Sequence, residues 1–366
     1  MKNQALIRFA AQLFILTIFF IVLILAKDIL IPLAISIFLA YTIYPLVWAI
    51  EKRGVHRGLS IVVVLLVTLL ILMTAGLFIS AKLSNMTINL SELKTQMDAK
   101  IDTVQHMLEI KAGINPVTMD HYLTKATDSL FSSWQSAVGS LFAMTTNTLI
   151  LLGLLPFYTF FLLFYRTKTA HFIFRIVGRD NKAKALHIMR EVSTITTKYM
   201  SGLLIVVLIL AILNSTGLLI IGIPNAIAFG ILAAVLNLIP YIGTFIGGLI
   251  PILYVLLTSA NPFEPILQIF ILFSVIQFLE NNLITPNIVG SNIKINPLSI
   301  ILSLLFANLI WGVAGMLIVV PCLAILKIIM RNIDGLKPYA FLISDRGVDQ
   351  HQLSVKRIWK KRIKRK

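Results

Sequence analysis

The chain of 366 residues holds a single cysteine, Cys322. A lone thiol closes no intramolecular disulfide and cannot build a thiolate metal site, and the apolar stretch around Cys322 reads as a buried, inert position. Charge is also scarce: only 13% of residues are charged while 58% are hydrophobic, and the mean hydropathy is +0.92. A soluble domain carries roughly 25% charged residues, so no soluble fold could cover this much apolar surface. Of six histidines, none falls among the apolar spans after Lys198. His-Glu-x-x-His, Gly-x-Ser-x-Gly and Gly-x-x-x-x-Gly-Lys are all missing, which removes support for a zinc protease, an esterase-type nucleophile and ATP-driven work. These absences predict no catalytic residue, no metal site and no cofactor, and leave an ion or solute gradient as the energy source.

What is present is a series of long apolar runs: Ala10 to Ala26, Leu30 to Ile50, Leu59 to Ala81, Leu141 to Tyr165, Met200 to Ile221, and more beyond Pro224. Runs of about 20 residues can cross a hydrocarbon core of about 30 Å. No small-residue cleavage site follows the first run before Lys27-Asp28, so it reads as a retained span rather than a signal peptide. The expected fold class is an all-α polytopic membrane protein.

Acidic residues number 15 against 32 basic ones, giving a formal charge of +17. The excess sits beside the spans: Lys2 and Arg8; Lys52, Arg53 and Arg57; Arg166 to Lys198; and the tail ending Lys364-Arg365-Lys366. That placement follows the positive-inside rule for cytoplasmic loops and argues against nucleic acid as the partner. It puts both termini in the cytoplasm, with the basic segments on anionic lipid headgroups.

Boundaries follow from these signals. Residues 1–81 hold three transmembrane helices, 82–140 an extracytoplasmic helical hairpin, and 141–165 the fourth span. A basic amphipathic segment covers 166–198, a transport core 199–331, and a basic cytoplasmic tail 332–366. The outer segment opens with Leu83, Met86, Leu90, Leu93 and Met97 at helical spacing, and Gly113 and Pro116 break it before a returning helix. Its apolar stripes can pack on each other or join neighbouring subunits of an oligomer. Leu186, Met189, Val192 and Ile195 give the inner segment one apolar face, suited to lying on the inner leaflet.

The core is duplicated, as 199–258 and 265–331. Asn237-Leu238-Ile239 leads through Pro240, Tyr241, Gly243, Gly247 and Gly248 to Pro251, and Asn308-Leu309-Ile310 leads through Gly312 and Gly315 to Pro321. Internal repeats of glycine-broken apolar segments are a way transporters build a site within the bilayer. Each arm of a broken segment holds roughly 15 to 18 residues, about 22 to 27 Å of helix and short of a full crossing. About six full transmembrane helices plus two re-entrant hairpins result, or about eight crossings if the hairpins span. The acidic loop Ser259 to Glu264 and the loop Ile284 to Asn296, with Lys294, favour an inverted arrangement in which the hairpins enter from opposite faces. Pro240, Tyr241 and Gly243 form the first turn and Gly312 and Gly315 the second. Backbone freed at such turns survives in a membrane only against protein or a wet cavity. The alternative is that these glycines are close-packing points between helices.

Gln277-Phe278-Leu279-Glu280-Asn281-Asn282 closes an otherwise apolar span. A carboxylate at the centre of a span costs about 2.5 to 3.5 kcal/mol on insertion scales, so it marks a cavity or a partner unless it lies at the headgroups. Glu280 is the leading candidate to carry a proton or a small cation in exchange for solute. Gln277 shares its face one turn earlier, and Asn281 and Asn282 add amides. Asn237 and Asn308 hold matching places in the two hairpins, where each can bind solute or satisfy its own turn, while Asn214 reads as interhelical glue.

These residues resemble the autoinducer-2 exporter family of predicted permeases of bacterial inner membranes. Its Gln-x-x-Glu-x-Asn-x-x-x-Pro-x-x-x-Gly pattern is met by Gln277, Glu280, Asn282, Pro286 and Gly290, with Pro286 and Gly290 as the helix break. Its proline and glycine turn is met by Pro240, Gly243 and Pro251, and its closing run by Gly312, Gly315 and Pro321. The resemblance implies export of a small polar signalling molecule in some members, sodium/proton antiport in others, and homo-oligomeric assembly. The expectation is a secondary transporter with a site between the two hairpins and segment 277–282. A sodium/proton antiporter, a passive channel and a non-transporting membrane scaffold are the alternatives.

Overall fold

The computed structural model describes residues 2–88, 153–178, 181–240, 242–259, 261–289 and 295–345. The expected outer hairpin beyond Ile88, the start of the fourth span, Tyr241, Gly290 and the tail from residue 346 lie outside the described residues. The protein is an all-α polytopic membrane protein. Helices α1 (Lys2–Leu25), α2 (Lys27–Glu51) and α3 (Arg57–Ile88) come first. They are followed by α4 (Gly153–Phe164), α5 (Arg166–Val177) and α6 (Lys182–Ile221). The remainder is α7 (Ala226–Leu236), α8 (Ile242–Thr258), α9 (Phe263–Leu279), a π-turn (Glu280–Ile284), α10 (Thr285–Ile288), α11 (Pro297–Asn332) and α12 (Lys337–Ile343). Among the described residues, 5 helices are long and apolar enough to cross a membrane, and shorter apolar helices accompany them.

The chain divides into two compact units. One comprises Thr42–Phe164 and Ser201–Ile288. Its core joins Leu218 of α6, Phe229 and Leu232 of α7, Val255 of α8 and Ile269 of α9. Lipid is as apolar as leucine, so packing in a membrane is driven by close approach of helices rather than by exclusion of water. The sequence supplies that approach with small residues. A Cβ on Gly243 would fall on the Leu236 carbonyl, and one on Gly247 would lie 2.9 Å from Ala233 Cα. Both contacts join α7 to α8, so the segment folds back on itself as a helical hairpin, with Phe229 and Tyr254 ring centroids 5.2 Å apart across it. Its arms of 11 and 17 residues rise about 16 and 25 Å, each less than the bilayer core.

The other unit comprises Met1–Tyr41, Tyr165–Met200 and Val289–Lys366. Here α11 is broken at Gly312, whose φ of 60° and ψ of −144° no helix accommodates. Beyond the break the chain reverses, because a Cβ on Gly315 would meet the Ala307 carbonyl, eight positions back. The two hairpins therefore repeat one contact. In each, the carbonyl just before the Asn-Leu-Ile triplet lies under a glycine of the returning arm. Trp311, at the second turn, donates its indole N–H to the Leu23 carbonyl at 2.8 Å, satisfying one of the acceptors a helix end leaves open.

Asn296 caps α11 by accepting from the Leu298 amide at 2.9 Å, with Pro297 at the first helical position. The Asn296 amide donates to the Ile343 carbonyl at 2.8 Å, tying the start of α11 to α12. At the far end of α11, Arg331 pairs with Glu191 of α6. A side-chain hydrogen bond from Lys337, reinforced by the charges of Lys337 and Lys184, holds the Asp334 carboxyl below the usual range.

The basic inner segment differs from its sequence outline. It forms two helices divided at Gly178, where φ is 77°, and the second runs unbroken into the apolar span because nothing between Lys182 and Ile221 interrupts it. Helix α5 buries no residue and presents Phe172 and Ile176 beside Lys168 and Arg175. Cys322 is exposed on the surface of α11 rather than enclosed. Its neighbours Val320, Pro321 and Ala324 are buried while Cys322 lies on the other side of the same arm, so an apolar sequence setting did not fix which face the thiol takes.

Candidate functional site

The site begins with a proline. Pro286 lacks an N–H for the carbonyl four residues earlier, and its ring crowds that carbonyl. The helix widens just ahead of it, and Thr285 N–H reaches back five residues to the Glu280 carbonyl. Such π-turns inside helices are frequent at functional sites. Asn282 Nδ2 donates to the Phe278 carbonyl at 2.8 Å, covering a backbone acceptor beside the turn.

Glu280 stands where α9 enters this turn and is half-buried. Its Oε1 accepts from Asn237 Nδ2 at 2.9 Å and from the Thr285 hydroxyl at 3.5 Å. Asn237 caps the C-terminus of α7. Its Oδ1 accepts from Thr244 Oγ1 at 2.6 Å, and Thr244 lies in the first turn of α8. A polar chain thus runs from the returning arm of the first hairpin, through its turn, to the carboxylate of the neighbouring helix. Of the two bonds to Glu280 Oε1, the Asn237 contact is the shorter and the one that crosses between helices.

Asn214, Asn237, Thr244, Gln277 and Glu280 line one cavity, walled on the apolar side by Leu210, Phe273 and Ile276. It is a small, partly open recess of about 240 Å³, part of which opens to the outside, with room for about one water-sized body. Among the described residues of its lining, Glu280 is the one carboxylate. Among the described residues no cluster of three or more His, Cys, Asp or Glu could hold a metal.

Residues 13–335 match the family described as AI-2E family transporter. The chain belongs to this family. A relative from Bacillus subtilis (strain 168), described as "Putative transport protein YueF", is 28% identical over 313 residues, 82% of this chain and 83% of its own. "AI-2 transport protein TqsA" of Escherichia coli (strain K12) is 24% identical over 324 residues, 87% of this chain and 90% of its own. The protein is thus a multi-pass membrane transporter of the AI-2E family.

Within this AI-2E chain, the sequence candidates fall into three groups. Asn237, Gln277 and Glu280 meet at the cavity. Asn281 and Asn282 are exposed, and Asn281 accepts from Gln277 Nε2 at 3.1 Å. Asn308, exposed, belongs with Gly312 and Gly315 to the other unit. Pro240 lies in the first turn, and Pro286 is exposed in α10. Two participants were not singled out from sequence, Thr244 and Thr285. Thr244 directly follows the turn glycine Gly243, and Thr285 directly precedes the helix-breaking Pro286, and in each case that adjacency was the available signal.

Proposed function

We propose that the protein is a secondary transporter that exports a small polar solute, driven by an ion or solute gradient, with Glu280 and Asn237 at its coupling site. The observation that carries the reading is the hydrogen bond between a hairpin turn and an in-span carboxylate. A change in what Glu280 binds alters its hold on Asn237, and through Thr244 on both arms of the hairpin. Binding energy is thereby converted into movement of a broken helix, the element that secondary transporters move. Gln277 orients the occupant, and the basic segments rest on anionic lipid with both termini in the cytoplasm.

Sodium/proton antiport is the second reading, favoured by the small cavity with its single carboxylate. A drug-sized ligand site typically offers about 300 to 1,000 Å³, more than this cavity holds. An organic solute would need a wider state of the protein, whereas a proton or small cation needs none.

Flux from proteoliposomes separates the two readings. A panel of small polar solutes is tested with and without imposed proton and sodium gradients. Gradient-dependent solute movement supports export. Sodium movement coupled to protons without any solute supports antiport, and neither movement under any gradient removes both.

A further inference from the structure

We propose that Phe273 is the specificity-determining residue of the Glu280 recess: its ring is the spacer that sets how large a solute can lie against Asn237, Gln277 and Glu280. The proposal rests on the coupling role of Glu280 and adds what limits the size of the occupant.

Four helices, α6, α7, α8 and α9, contribute the residues that line the recess. Two of the seams between them close against backbone. A Cβ on Gly230 of α7 would lie 2.6 Å from Ser215 Cα of α6, and Ser215 Oγ donates to the Ile227 carbonyl at 3.4 Å across the same seam. Gly247 of α8 meets Ala233 of α7 in the same way. Helices in such contact have no side chain between them to rotate away, so α6, α7 and α8 form the fixed walls.

Helix α9 is seated differently, through two successive side chains. Leu272 fills the notch at Gly217 of α6, where an added Cβ would lie 2.6 Å from Leu272 Cδ2, and Phe273 lies on Gly248 of α8, where one would lie 3.3 Å from Phe273 Cγ. Of the pair, Phe273 lines the recess and Leu272 does not. Thr244 and Gly248 are one turn apart on α8, as are Phe273 and Gln277 on α9. The ring is therefore the apolar layer next to the polar layer of Thr244 and Gln277, and it also packs against the core that holds Val255 and Ile269. When the ring is trimmed, Leu272 in its notch and the Asn237 to Glu280 bond still hold α9. A site vacated in that way collapses only in part, and the remaining volume joins the recess. Any widening that admits an organic solute starts at Phe273.

The test uses the full-length protein in detergent, with its one native cysteine removed as Cys322→Ser and with Thr244→Cys as the reporter in the recess. Its modification by methyl methanethiosulfonate is compared with that by the bulkier trimethylammonium-ethyl methanethiosulfonate, and the ratio of bulky to small rate is read. One methylene in a fitted apolar pocket changes discrimination by about tenfold or more. Phe273→Ala is expected to raise the ratio by about that factor, and Phe273→Leu, a milder change that guards against unfolding, to raise it less. Leu272→Ala loses packing at the neighbouring position of the same helix and is expected to leave the ratio unchanged. A ratio that neither Phe273 variant raises, or that Leu272→Ala raises as much, overturns the proposal. That result together with loss of gradient-driven flux in Glu280→Gln removes the size-setting role of Phe273 while leaving the coupling role of Glu280 standing.

Discussion

Asn237 Nδ2 donates to Glu280 Oε1 at 2.9 Å, across 43 positions of sequence. The bond joins the turn of the first hairpin to the entrance of the π-turn, and the same asparagine receives the Thr244 hydroxyl on its other amide atom. One side chain therefore ties three elements together.

Removing that tie should be costly. Asn237→Ala leaves both Glu280 and Thr244 without this partner in a half-buried site, and a loss of about 1–3 kcal/mol is expected. Thr244→Val, which spares the Asn237 to Glu280 bond, should cost about 0.5–1.5 kcal/mol. A double-mutant cycle of Asn237→Ala with Glu280→Ala, read by unfolding in detergent, should give a coupling energy of at least about 0.5 kcal/mol. Additive losses would mean that the two side chains do not act as a pair.

The turns give a second expectation. Gly243→Ala and Gly315→Ala each drive a methyl group into a carbonyl of the opposing arm, and backbone yields less easily than a side chain. A loss of about 1–3 kcal/mol is expected for each. Gly76→Ala in α3 meets nothing within 4 Å and should be neutral or gain about 0.5–1 kcal/mol from its helical position. Melting temperatures that fail to separate the first two variants from the third would refute the close approach at both turns.

Pro286 supplies the third. In Pro286→Ala an amide returns to the carbonyl four residues back, and the widened turn can tighten into regular helix. Stability should rise, on the order of 1 kcal/mol, while flux falls because Thr285 rotates away from Glu280. A variant that gains stability and transports normally would show the π-turn to be a consequence of the proline with no part in the site.

Much of the architecture was legible before the structure. Paired Asn-Leu-Ile triplets with glycines at nearly matching offsets mark two broken segments, and the structure gives the pairing a physical content. Leu236 and Ala307, each just before a triplet, present their carbonyls to Gly243 and Gly315. Glu280 stood out because a carboxylate in an apolar span is expensive. Its partner could not be read in the same way, since local periodicity records which residues share a helix face and carries nothing about contacts between helices. Asn214 shows the same limit from the other side. A single amide in an apolar span says nothing of its neighbours, and the structure is what places Asn214, buried on α6, in the lining of the Glu280 cavity.

The most direct measurement is solute or cation flux into proteoliposomes by the Glu280→Gln protein, across a range of pH and with an imposed gradient. Glutamine keeps the shape and a hydrogen-bond acceptor for Asn237 but carries no charge. The expected result is a folded protein whose flux no longer responds to the gradient or to pH. Flux and pH dependence equal to those of the parent chain would contradict the coupling role of Glu280.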